Sequence, residues 1–343
     1  GNEVPLQTEV LAWWPDGSIR WVLLTFQTNV PAWETKEFTL EYGRLLQRTA
    51  QSRQNVKVSQ LGDTVMVDTG TLKWSLASAA APARDGETWS WGGVPVFEVR
   101  DAEGIVYTSK GDPHFLEVEE SGPERAIVRI RGELVPEDDP RVSAFLAYDL
   151  RLYFYQGHAT VRIDPVITNL KAHEPGQVHA AELRQVSLRL PKWLAEGGTI
   201  DYETDVALAS HIRSRMVAGR LLPTPSDESR SQVAGQASAA FRLVQENAMR
   251  LQIVDDSENV LTNHRSGGWV SMQRGDRRVT VGVRHFWEQY PKGIEVTPEG
   301  DVLIHLWPNN GQILSMDGGE AKRHEVYVSL DTDADLAGWL QPL

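Results

Sequence analysis

A chain of 343 residues is too long for one small core. Its 34 basic and 47 acidic residues leave a net charge of −13, which disfavours nucleic acid and anionic membrane surfaces, because both need a positive face. There is no cysteine, so no disulfide framework or thiolate metal site is available, and no apolar run approaches the ~18 residues of a membrane-spanning helix.

The first expected elements are strands near Val4–Trp13, Ile19–Gln27 and Glu37–Tyr42. Between the first two, WWPDGSIRWVLLTF (Trp13 to Phe26) reads as a hairpin. Asp16-Gly17 makes its turn, Asp16 caps that turn, and Arg20 lies within reach of Asp16. Three strands are too few to close a barrel, so residues 1–56 are expected to form a partial N-terminal β-barrel-like domain whose open edge needs cover. The polar stretch RLLQRTAQSRQN, near residues 44–56, marks the boundary.

From residue 57 to 343 a period of two recurs. Val128 and Ile130 alternate with Arg129 and Arg131; Leu150, Leu152 and Phe154 with Arg151, Tyr153 and Tyr155; Val161 and Ile163 with Arg162 and Asp164. The same pattern covers Val186, Leu188 and Leu190, then Val279, Val281 and Val283, then Val302, Ile304 and Leu306. One apolar and one polar face per strand is the mark of antiparallel sheets. The chain therefore reads as all-β, with a large antiparallel β-sandwich following the partial barrel. Asp85-Gly86, Glu103-Gly104, Gln156-Gly157 and Glu299-Gly300 punctuate the strands. Phe241 to Asp255 reads as a hairpin turning near Glu246-Asn247. Leu222 to Gln236 reads as a long surface loop, and Asp333 to Leu340 is the best helical candidate.

Phosphate loops, nucleophile elbows, HExxH and dinucleotide fingerprints are absent. The nine His residues show no zinc spacing. No metal or other cofactor is therefore expected. Asp255-Asp256 and Asp331–Asp335 are compatible with Ca²⁺ but lack the spacing of a calcium loop. Tryptophan, with 12 residues, is abundant enough to divide between core and a ring-stacking surface.

Several strings resemble the exo-rhamnogalacturonan lyase-like family, whose members have a small barrel, a central β-sandwich and an α/α toroid. These are DGSIRWVLL (Asp16 to Leu24), DTGTLKWSL (Asp68 to Leu76), YDLRLYFYQGHATVRIDPVITNL (Tyr148 to Leu170), RHFWEQYPKGIEV (Arg284 to Val296), LIHLWP (Leu303 to Pro308) and GGEAKRHEVYVSL (Gly318 to Leu330). They occur in family order. The resemblance implies a supersandwich-like central domain, a secreted protein in an extracellular or periplasmic setting, and a polysaccharide partner. It also implies a helical toroid following residue 343.

A uronate lyase must neutralise a carboxylate, remove the proton beside it and protonate the departing oxygen. Arg151, Tyr153, His158 and Arg162 supply the residue types for those tasks on adjacent strands; cross-strand pairing on a solvated face is the competing reading. RHFWEQYPKG reads as a strand leaving the sheet into a Pro-Lys-Gly turn, with Tyr290 and Lys292 in the loop. Arg284, His285, Trp287, Tyr290 and Lys292, with Trp307 on a neighbouring strand, form the candidate substrate-binding set, in which a ring stacks on the sugar and a cation meets its carboxylate. Trp287 in the core and Lys292 in solvent is the competing arrangement. Glu133, Asp164, Glu288 and Glu325 show no spacing that singles out the carboxyl pair of a glycosidase. The sequence thus points to β-elimination on uronate-containing polysaccharide, with a non-catalytic carbohydrate-binding or surface-structural β-sandwich as the alternative.

Overall fold

The computed structural model describes residues 3–31, 34–43, 45–47, 49–50, 55–62, 64–76, 80–110, 115–138, 142–171, 180–190, 199–205, 216–217, 241–254, 265–275, 277–297, 300–330 and 340. The elements among them are strands. β1 (Gln7–Trp13) and β2 (Ile19–Thr25) form a separate hairpin. β3 (Lys57–Leu61), β4 (Thr64–Asp68), β5 (Leu72–Ser75), β6 (Ala80–Asp85) and β7 (Thr88–Gly92) form a five-stranded sheet. Next come β8 (Val96–Asp101), β9 (Val106–Thr108), β10 (Phe115–Ser121), β11 (Arg125–Glu133), β12 (Val135–Pro136), β13 (Leu146–Tyr155) and β14 (Thr160–Asn169). β15 (Ala181–Arg189), β16 (Thr199–Asp205), β17 (Met216–Val217), β18 (Phe241–Asn247), β19 (Arg250–Val254) and β20 (Ser266–Arg274) follow. The last are β21 (Arg277–Val283), β22 (Lys292–Val296), β23 (Val302–Trp307), β24 (Leu314–Met316), β25 (Ala321–Arg323) and β26 (Val326–Ser329).

Two large sheets build the sandwich. One has ten strands in the order β10-β11-β13-β14-β26-β21-β20-β16-β17, with β25 also on β14. The other has nine, in the order β12-β9-β8-β15-β23-β22-β18-β19, with β24 also on β15. Pairing within both is antiparallel; among the described residues the one parallel pair is β5 with β7 in the five-stranded sheet.

The alternation read from the sequence decides which faces meet. Val128, Ile130, Leu152, Phe154, Val161, Ile163, Leu188, Val281 and Ile304 are all buried, as their period-two positions require. Arg129, Arg151 and Arg162 point to the other face and are half-buried. Trp74 anchors the junction with the five-stranded sheet, its ring 4.6 Å from Trp91 and 6.0 Å from Phe154. Its indole N–H donates to the Gly93 carbonyl at 2.9 Å, so the polar end of a buried ring is satisfied.

The β1–β2 hairpin is tied to the sandwich through Gln7. Its Oε1 accepts the backbone N–H groups of Glu124 and Arg125, each at 2.9 Å, and its Nε2 donates to Glu120. Gly122 makes room: a Cβ there would lie 2.2 Å from Gln7 Cδ. At the hairpin tip Asp16 Oδ1 accepts from Ser18 N (2.9 Å) and Oγ (2.6 Å). Arg20 lies over the Trp14 ring at 4.6 Å instead of reaching Asp16.

Four local expectations are corrected. Residues 37–42 are not a strand; the backbone there makes no ladder, although the segment alternates. The β18–β19 turn falls at Ala248-Met249, two residues beyond the expected place, because β18 runs on through Asn247. Residues 284–289 form turns instead of continuing β21. Lys292 opens β22 instead of occupying a loop. Residues 222–236 lie outside the described residues, as does 333–340 except Leu340.

The register has a direct test in stability. Phe154→Ala is expected to cost about 3–5 kcal/mol in denaturant unfolding, whereas Arg151→Ala on the same strand costs under about 1 kcal/mol, in keeping with a half-exposed ion pair screened by solvent. Equal losses for the two would contradict the assigned faces.

Candidate functional site

The outer face of the ten-stranded sheet is a lattice of charges. Arg129 and Arg151 are direct cross-strand partners, an arrangement that repels unless carboxylates intervene. Glu119 and Asp149 do so. Arg151 Nε donates to Glu119 at 2.8 Å, and Arg129 binds both acids. One strand over, Arg162 grips Asp164 with Nε and Nη2 at 2.8 and 2.9 Å. Its guanidinium also lies 4.8 Å from the Tyr153 ring and 3.2 Å from Glu325. Asp164 is almost wholly buried and takes a further bond from Arg323. Burial pulls the Arg162 pKa down, but Asp164 and Glu325 outweigh it and hold the group above its ordinary value. Burial also raises the Tyr153 phenol, so it keeps its proton at neutral pH.

His158 lies in the β13–β14 turn, where its carbonyl accepts from Thr69 Oγ1 at 2.7 Å. Tyr153 and Arg162 are thus brought together, Arg151 is engaged with Glu119, and His158 serves its turn through its backbone.

The second candidate set surrounds the turn after β21. Arg284 Nη1 donates to Glu325 at 3.1 Å, and Tyr327 donates its hydroxyl to the same carboxylate at 2.5 Å. Glu325 therefore links Arg162 and Arg284, residues more than a hundred positions apart. His285 adopts a left-handed backbone with φ of 56°, a strained conformation for a side-chain-bearing residue. The turn it makes drops Phe286 into the core over Gly268, where a Cβ would lie 2.4 Å from Phe286 Cβ. Trp287 is half-buried under the Arg265 guanidinium at 4.1 Å, and Tyr290 is exposed.

Lys292 goes inward. It is 3% exposed, and its Nζ donates to the carbonyls of Gln289 (2.8 Å) and Leu306 (3.1 Å). Burial, with a smaller contribution from the charge of Lys322, brings its pKa down to about 7. His324, half-buried nearby, is brought to about 3 by desolvation and then by the charges of Lys292 and Lys322. Trp307 packs against the core and donates its indole N–H to the Gln312 carbonyl at 3.2 Å. Of the expected substrate-binding set, Trp287 and Tyr290 reach the surface, while Arg284 and Lys292 are held by protein partners.

Two features were not singled out in the sequence. One is a hydrogen-bonded row of Ser187, His305 and Glu295 across three strands of the nine-stranded sheet. Alternation marks His305 as facing away from Ile304 and Glu295 sits on the preceding strand, but Ser187 comes from a strand 118 positions away. The other is the aromatic exposure of the first hairpin, where Trp13, Trp14 and Trp21 are all exposed. Among the described residues no three His, Asp or Glu side chains are grouped to hold a metal ion. Asp255-Asp256 and Asp331–Asp335 lie outside them. No helix among them is long and apolar enough to cross a membrane.

The buried Lys292 amine gives a pH signature. Unfolded, it holds its proton to about pH 10.5; folded, it releases it near 7. The unfolded chain thus binds more protons between those values, and stability rises with pH across that window, by up to about 1.4 kcal/mol per unit. Below pH 7 both states are protonated and the penalty is constant. Denaturant unfolding of the wild type between pH 7 and 9.5 should show this rise, and Lys292→Met should flatten it. An unchanged slope in the variant would show that the amine stays charged when folded.

Comparison with known proteins adds the lineage. Residues 1–43 match the family model described as the PcRGLX-like N-terminal RIFT barrel domain. Residues 56–169 match that of the PcRGLX-like protein central beta sandwich domain. The uncharacterized protein YetA of Bacillus subtilis (strain 168) is 24% identical over 91% of this chain and 40% of its own length, so the chain spans less than half of that relative. Among solved structures, the GH36 α-galactosidase AgaB of Geobacillus stearothermophilus aligns with a TM-score of 0.38 and 10% identity, over 82% of this chain and 40% of that one. A putative aldose 1-epimerase from Escherichia coli K12 aligns with 0.38 and 9%, over 81% and 99%. Superpositions this loose carry no argument about activity. The two domain matches, consecutive and in family order, identify residues 1–43 and 56–169 as PcRGLX-like barrel and central sandwich domains, matching the exo-rhamnogalacturonan lyase-like family over that part of the chain.

Proposed function

We propose that the protein is carbohydrate-active and serves β-elimination on a uronate-containing, rhamnogalacturonan-like polysaccharide. The observation that carries this reading is the pair of consecutive PcRGLX-like domain matches. In such a reaction a base takes the proton beside the uronate carboxyl, the electron pair forms a carbon–carbon double bond, and the departing glycosidic oxygen gains a proton. No oxidant or reductant is needed.

The geometry supports one continuous surface for that chemistry. Glu325 joins Arg162 to Arg284, so the central-strand residues and the turn after β21 are neighbours. On this reading Arg162 meets the uronate carboxylate by exchanging one of its two acidic partners. Tyr153, stacked beneath it and protonated, stands where a hydroxyl donor is wanted; Arg151 and His158 flank the pair. Trp287 and Tyr290 offer rings for stacking, with His285 in the same turn. A polymeric substrate places the protein outside the cytoplasm, in an extracellular or periplasmic setting.

The second reading is a carbohydrate-binding protein without catalysis. It is favoured by the arginines of the lattice, whose charges are already matched by Glu119, Asp149, Asp164 and Glu325. Incubation with pectic polysaccharide separates the two. Lyase action generates the ultraviolet absorbance of an unsaturated uronate, and binding without that absorbance favours the second.

For the stacking surface, Trp287→Ala is expected to weaken glycan binding by about tenfold, as loss of a ring platform does, while the melting temperature changes little. A loss of about 3–5 kcal/mol in stability, with unchanged binding per folded molecule, would place Trp287 in the core and remove it from the site.

A further inference from the structure

Three neighbouring strands of the nine-stranded sheet, β15, β23 and β22, each contribute one polar side chain to a row on the face directed away from the core. Ser187 is opposite His305, and Gly293, two residues before Glu295, is opposite His305 on its other side. Gln185 Nε2 donates to Ser187 Oγ at 2.8 Å. Ser187 Oγ lies 2.8 Å from His305 Nδ1, and His305 Nε2 lies 2.9 Å from Glu295 Oε2. For a neutral imidazole the contacts are consistent with one arrangement of protons. The carboxylate needs a donor, so Nε2 carries the hydrogen; Nδ1 then accepts from the Ser187 hydroxyl, whose oxygen accepts from Gln185.

The row is graded in exposure. Ser187 is fully buried and His305 is 3% exposed, whereas the Glu295 side chain is 28% exposed. The imidazole is seated on Gly293, where a Cβ would come within 3.1 Å of His305 Cδ2 and 3.2 Å of the Leu243 carbonyl. A half-exposed carboxylate is thus fixed in one orientation by a buried relay behind it. Glu295 also has Arg242 at 3.6 Å, and the Arg189 charge acts on it as well. The hydrogen bond from His305 is the main reason its pKa is held below the ordinary carboxylate range, so it is an acceptor at neutral pH. Arg189 in turn is held by Glu98 (2.6 Å) and Asp301 (2.5 Å).

We propose that this row is a second carbohydrate site, specific for an uncharged sugar unit. Glu295 accepts hydroxyl hydrogens and Arg242 donates to a neighbouring hydroxyl oxygen, while His305 and Ser187 are positioning residues. The charge balance favours a neutral ligand: three carboxylates (Glu98, Glu295, Asp301) face two guanidiniums (Arg189, Arg242), a surplus that repels a uronate. The proposal takes from the functional reading only the choice of a sugar as ligand.

The test uses the full chain and three probes: methyl α-galactoside, methyl α-rhamnoside and galacturonate, titrated by calorimetry and saturation-transfer NMR. At least one neutral glycoside is expected to bind in preference to galacturonate. Glu295→Gln should weaken it by about tenfold, the effect of removing a charged hydrogen-bond acceptor, with the melting temperature unchanged. Arg242→Met provides a second variant at the rim of the row, with a similar loss. Ser187→Ala should weaken binding less and shift the His305 Nε2–H resonance, and Ser187→Thr should restore both. Absence of binding by both neutral glycosides, or unchanged affinity in Glu295→Gln and Arg242→Met, overturns the proposal. Because these probes contain no scissile uronate linkage, their outcome is independent of the unsaturated-uronate assay.

Discussion

Two sheets of nine and ten strands can face each other only if each central strand turns an unbroken row of apolar side chains one way, and the rest of this structure depends on that single constraint. β13 meets it over its full length, with Leu146, Tyr148, Leu150, Leu152 and Phe154 inward. A slip of one residue would bury Asp149 and Arg151 and expose five core side chains. The price of this register is a dense row of polar groups on the outer face. Arg129 and Arg151 end up directly opposed, and Glu119 and Asp149 make that tolerable. The charged lattice is therefore first a consequence of the core.

That origin bears on how the lattice is read as a site. Arginines placed by register acquire carboxylate partners in any stable sheet, so their presence is weak evidence of chemistry by itself. What distinguishes the region around Glu325 is convergence. Arg162 comes from β14, Arg284 from the turn after β21 and Tyr327 from β26. The strained backbone at His285 turns the chain away from the sheet just there, sending Phe286 into the core and leaving Trp287 and Tyr290 toward the surface.

The two sheets treat their polar residues differently. On the ten-stranded sheet the outer charges, apart from the buried Asp164, are half-exposed and paired arginine with carboxylate. On the nine-stranded sheet Ser187 and His305 lie buried behind Glu295 in a hydrogen-bonded relay. Lys292 is different again. It faces inward, its acceptors are the backbone carbonyls of Gln289 and Leu306, and among the described residues no carboxylate pairs with it. Burying an ammonium without a counter-charge is what moves its titration toward neutrality.

Much of this protein was decided by its sequence alone. Alternation in short windows determines side-chain direction without reference to any partner, which is why all nine positions expected in the core are buried and why the Gly turns at Gly17, Gly86, Gly104 and Gly157 take positive φ. The strings Asp16 to Leu24, Asp68 to Leu76 and Tyr148 to Asn169, inside the matched domains, were legible for a similar reason, since each is a contiguous stretch. Tertiary structure decided whatever required knowing which strands are neighbours. It joined Arg162 to Arg284 through Glu325, aligned Ser187, His305 and Glu295 from three separate strands, and drew Lys292 inside when a Pro-Lys-Gly string suggested a solvated loop. Period two tells a residue which way to point; only the order of strands in the sheet tells it what it will meet.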